Sequence, residues 1–217
     1  GTEVAAITQD YNSAVVSPND PTRTGYTFSG WDVTVPEVMP AENISLTATW
    51  TINEYTVSFD SNQGSAVTAI TQDYNTALTA PSDPTRTGYT FNGWFIDETL
   101  ETAYVFTTIP AEDITLYAKW TINQYTITFD SAGGTEVAAI TQDYNTAVVS
   151  PNDPTRTGYT FSGWDVTVPE VMPAENISLT ATWTINQYTI TFSTNDGLIA
   201  QNQISSYTIE SVNVTLL

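Results

Sequence analysis

The 217 residues hold 24 acidic side chains against four basic ones, for a net charge of −20, and include neither cysteine nor histidine. Disulfides, thiolate metal sites and the commonest general base are therefore excluded. Nucleic acid is excluded too, because neutralising phosphates needs clustered Lys and Arg. No apolar run approaches the roughly 18–20 residues of a membrane span, so membrane insertion is not expected.

In chain order, the first feature is repetition. Gly1–Asn53 returns as Gly134–Asn186 with one difference, Ser13 against Thr146, and Gly64–Asn123 is a diverged third version. Gly1, Gly64, Gly134 and Gly197 hold equivalent places, giving periods of 63, 70 and 63 residues. Periods this long indicate an array of small domains rather than a thin solenoid. The sequence divides into repeat 1 (1–53), which lacks a first strand; repeat 2 (54–123), the long form; repeat 3 (124–186); and the first strands of a fourth (187–217), truncated or donated to another molecule. There is no basic start followed by an apolar run, so a signal peptide is absent or already removed.

Repeat 2 serves as the pattern. Tyr55, Val57 and Phe59 alternate with polar residues, the period of a half-buried strand. Asp60–Gly64 (DSNQG) is turn material, and Val67–Tyr74 returns as a less regular second strand. Pro81, Asp83 and Pro84 mark a crossing loop. A third strand runs through Tyr89, Phe91 and Trp94, with Gly93 as a bulge. Residues 95–108 form an excursion seven residues longer than in repeats 1 and 3. Pro110–Asp113 could make one helical turn, and Ile114–Trp120 alternates as a fourth strand. The expected fold is mainly β (α+β at most), four strands per unit with little helix.

The stretch FNGWFIDETLETAYVFTTIPAEDITLYAKWTINQYTITFDSAGG (Phe91–Gly134) resembles the Listeria–Bacteroides repeat, or internalin B-repeat. GYTF-x-GW and LYAKW together are specific, and the resemblance runs from Gly1 to about Gly197. It implies tandem small β-grasp-like domains in a secreted or cell-surface bacterial protein, with stalk or adhesin roles and no enzymatic activity. Repeats 1 and 3 depart from the pattern, being short between their two Trp and reading LTATW for LYAKW.

Asp10, Asp20, Asp32 and Glu37 recur at fixed places, but no spacing forces a catalytic pair together. No cofactor is expected beyond weak divalent cation binding to the acidic surface, since DSNQG and DSAGG lack the spaced acids of a calcium loop. The Trp pairs (Trp31 and Trp50, Trp94 and Trp120, Trp164 and Trp183) are expected on an inner sheet face. Arg23, Arg86 and Arg156 are expected to pair with Asp20, Asp83 and Asp153 or to stack on an aromatic ring. Three readings follow. The first is a non-catalytic structural or adhesive segment, extracellular or on the bacterial cell surface, whose partners are other repeats or a host or surface protein or glycan. The second is a filament subunit joined head to tail through a strand containing Tyr188, Ile190, Phe192, Tyr207, Ile209, Val212 and Val214. The third is a ligand-binding module using the 95–108 loop, with Phe95, Asp97, Glu98, Tyr104 and Phe106 as candidate contacts.

Overall fold

A computed structural model of the chain describes residues 1–190 and 206–211. Among them the chain is all β: ten strands and no helix. It forms two compact units, residues 1–86 with 91–121, and residues 87–90 with 122–217. The sheets follow the sequence repeats.

In repeat 2 the strands are β3 (Glu54–Asp60), β4 (Ile70–Asp73), β5 (Tyr89–Phe95) and β6 (Ile114–Ile122). They form one sheet in the order β4-β3-β6-β5. The central pair β3 and β6 is parallel, with Val57 opposite Ile114 and Phe59 opposite Leu116. A parallel pair needs a long crossover, and the segment from Asp60 to Ile114 provides it. Repeat 3 repeats the plan with β7 (Gln124–Asp130), β8 (Ile140–Asp143), β9 (Tyr159–Trp164) and β10 (Ile177–Ile185), in the order β8-β7-β10-β9. Four-stranded mixed sheets in tandem agree with the expected fold class. One detail differs: Pro110–Asp113 makes a bend, not a helical turn. Asp113 there accepts the Thr56 N–H at 2.7 Å, and Asn176 accepts the Thr126 N–H at 2.8 Å. The acidic or amide side chain thus holds the first strand of its repeat, and a helical turn is not formed.

Since no helix covers the sheets, loops do. Val57, Leu116 and Ala118 pack with Leu78, Trp94 and Ile109, and within the crossover Thr107–Ile109 pair with residues 75–78. In repeat 3, Ile127, Met172 and Leu179 form the corresponding core.

Repeat 1 is different. Its sheet has only β1 (Tyr26–Trp31) and β2 (Ala48–Ile52), where the missing first strand alone leads one to expect three. The segment Ile7–Asp10, identical to β8, is not a strand. With no counterpart of β3 or β7 to pair with, it has no ladder to join.

Candidate functional site

The aromatic trio comes first. A strand places residues three apart on opposite faces, yet Phe28 and Trp31 touch with centroids 5.4 Å apart. The β-bulge between Phe28 and Gly30 explains it, because Gly30 at φ 116° adds the residue that turns Trp31 back to the Phe28 side. Phe28 also meets Trp50 at 5.5 Å, and the sets Phe91–Trp94–Trp120 and Phe161–Trp164–Trp183 repeat the arrangement. The Trp120 and Trp183 indole N–H groups donate to Ser61 and Ser131 carbonyls. The rings are joined to one another and to hairpin backbone, as an inner face requires. Arg23 and Arg156 take the aromatic partner: their guanidinium carbons lie 3.8 Å and 3.9 Å over Tyr26 and Tyr159. Arg86 donates to the Asn62 carbonyl and the Gln63 side chain.

The 95–108 excursion is ordered by its own side chains. Asp97 accepts from the Thr99 hydroxyl and from the Glu101 and Thr102 N–H groups. These donors, the Thr99 hydroxyl foremost, hold the Asp97 carboxyl well below the ordinary carboxylate range. Glu98 accepts from the Tyr117 hydroxyl, which raises the Tyr117 pKa by favouring the neutral phenol. Phe95 is buried with Lys119 4.7 Å over its ring, and Tyr104 and Phe106 pack on the core, where burial raises the Tyr104 pKa. What the loop leaves bare is Ile96 and Val105, the latter 73% exposed. Among the described residues, no group of three or more His, Cys, Asp or Glu could hold a metal ion.

A third constellation involves residues of the recurring sequences TQDY, RTGY and TIN. In the first unit, Tyr74 of TQDY lies edge-on between Tyr26 and Tyr55, centroids 6.2 and 6.4 Å away, and its ring covers Gly25. Gly25 has φ 76°, and a Cβ there would overlap the ring. Asn53 closes the arrangement: its N–H donates to Gly25, its carbonyl accepts from Tyr74, and its side chain accepts from Thr27. In the second unit the same roles fall to Tyr144, Tyr89, Tyr125, Gly88, Asn123 and Thr90. At the third position Ile209 sits on Gly158, Asn186 donates to the Gly158 carbonyl, and Tyr159 donates to Glu210, which raises the Tyr159 pKa. The signal for this site is visible in the letters, because TQDY, RTGY and TIN recur together in the first two positions. Their purpose is not, because it joins residues of successive repeats.

Of the candidate inter-subunit residues, Tyr188 and Tyr207 form a two-way backbone bridge at 2.7 and 2.8 Å, Ile190 is 38% exposed, and Ile209 lies in a turn. Phe192, Val212 and Val214 lie outside the described residues. In the first unit, a cleft of about 530 Å³ opens against the two-stranded sheet of repeat 1.

Comparison with known proteins bears on these features. The sequence profile of the Listeria-Bacteroides repeat domain matches residues 1–49, 55–119 and 125–182. A protein of Evansella cellulosilytica named as a Gly-rich membrane protein is 37% identical over 214 residues, covering 91% of this chain and 25% of that one. Internalin H of Listeria monocytogenes is 34% identical over 203 residues, covering 86% of this chain and 36% of its own length. The chain thus spans between a quarter and about a third of these relatives. Among solved structures, domains 3-4 of the Streptococcal High Identity Repeats in Tandem of a cell surface protein match at 19% identity, over 61% of this chain and 98% of that one. The TM-score is 0.21, so no detail of arrangement transfers.

Proposed function

This chain belongs to the Listeria-Bacteroides repeat family, and on that premise we propose that it is a non-catalytic spacer and adhesive segment of a bacterial surface or secreted protein. The observation that carries the reading is the Gly–Tyr–Asn contact, built twice with the same residues at Gly25–Tyr74–Asn53 and Gly88–Tyr144–Asn123. A connector held by both backbone groups and the side chain of one Asn has few free torsions, which suits a stalk and not a flexible tether. The likeness to an internalin supports a surface location. Hydrogen exchange at the Asn53 and Asn123 amides of the whole chain tests the reading: protection like that of the neighbouring strands is expected, and exchange at coil-like rates would overturn it.

A second reading gives repeat 2 a ligand or partner of its own, a host or surface protein or glycan. It is favoured by the internally fastened loop that presents Ile96 and Val105 outside the core. Replacing residues 95–108 with the short segment Asp32–Val38 should remove any binding that the loop provides while leaving repeats 1 and 3 folded.

A further inference from the structure

In repeats 2 and 3 the chain enters and leaves on neighbouring strands. β3 opens repeat 2 at Glu54 and β6 closes it at Ile122, and the two pair in parallel from Val57 opposite Ile114 to Asp60 opposite Tyr117. Repeat 3 does the same with β7 and β10, from Ile127 opposite Ile177 to Asp130 opposite Thr180. Parallel strands start at the same end of the sheet. Tension along the chain therefore draws β3 towards one end and β6 towards the other. The force runs along the strands and across their hydrogen bonds, so all bonds of the ladder share it and must fail together. In an antiparallel pair, entry and exit would lie at one end, and tension would open the bonds one after another.

Several features oppose sliding. Every residue of β3 is paired, Glu54–Val57 with β4 and Val57–Asp60 with β6, and β7 is paired in the same way with β8 and β10. Val57, Leu116 and Ile127 are fully buried, and a slip of one residue would turn each strand's buried set away from the core. A side chain extends each ladder at its start: Asp113 accepts the Thr56 N–H and Asn176 accepts the Thr126 N–H. In repeat 3 the Thr128 hydroxyl adds a bond to the Ile177 carbonyl at 3.2 Å. Only Asn123 separates β6 from β7, so there is no slack between the two ladders.

We propose that repeats 2 and 3 are mechanical clamps, modules that stay folded under tension applied along a tethered chain. The resistance is directional, because it comes from how the ladder meets the force and not from overall stability. Clamping goes beyond the spacer reading: stiffness at a connector and resistance within a repeat are separate properties, and amide exchange at Asn53 and Asn123 decides only the first.

Single-molecule pulling on the whole chain is the test, and the lack of native cysteine lets two handles be placed at chosen positions. Glu54→Cys with Thr121→Cys applies force along the repeat 2 ladder. Glu54→Cys with Glu112→Cys applies it across the ladder, since both positions lie at the end where Val57 meets Ile114. All three residues are exposed, so both double variants keep the core intact. Forced unfolding reads the barrier in the pulled direction. At one pulling rate, the lengthwise pair is expected to hold to a several-fold higher force and then release repeat 2 in a single step. Equal forces in the two directions would overturn the proposal, as would gradual lengthening under the lengthwise pull.

Discussion

At the scale of single residues, the most consequential positions are glycines that carry no chemistry. Gly88 has φ 78° and lies under the Tyr144 ring. Gly88→Ala should cost about 1–2 kcal/mol from the left-handed backbone alone, with a further loss from overlap with the ring. Made in a Tyr144→Ala background, the same change should cost only the backbone part. A double-mutant cycle by denaturant unfolding reads the difference. Asp97 gives a pH prediction. Its folded pKa is depressed, so its contribution to loop order is complete above the unfolded value of about 3.9 and disappears as pH falls through that value toward the lower folded one. Hydrogen exchange at the Glu101 and Thr102 amides should therefore gain protection as pH is raised through this window, after correction for intrinsic rates. Unchanged protection would show that the carboxylate does not hold the loop.

At the scale of elements, strand identity was legible and strand extent was not. Alternation at Tyr55–Phe59 and Ile114–Trp120 located β3 and β6 because one face of each is buried. Val67–Tyr74 shrank to Ile70–Asp73, because only four residues find partners along β3. Pro110–Asp113 was misread as a helical turn, since the value of Asp113 lies in a bond to Thr56, 57 residues away in sequence. Burial follows the same logic and gives a paired prediction. Met172→Ala should destabilise repeat 3 by about 2–5 kcal/mol, while Met39→Ala in an identical local sequence should cost roughly 1 kcal/mol or less. Thermal unfolding of the two variants compares them directly. Equal costs would mean that the two cores are equally closed.

At the scale of the whole molecule, charge governs how copies meet. With 24 acids and four bases, the chain repels its own kind at low salt, where the Debye length at 0.01 M is about 30 Å. Light scattering on the whole chain should show net repulsion at low salt that fades steadily as salt is added. Attraction at low salt would show that a specific contact outweighs the charge.

The sequence by itself determined the repetition, the mainly β character, the inward Trp pairs and the absence of thiol or imidazole chemistry, because each is written in composition or in a short periodic pattern. Tertiary structure decided how far each strand extends. Ile44–Ile52 and Ile177–Ile185 have the same letters, yet only the second becomes a nine-residue strand. The reason is physical: a β-strand completes its backbone hydrogen bonds with a neighbour, and whether β7 lies alongside is not recorded in the segment that needs it.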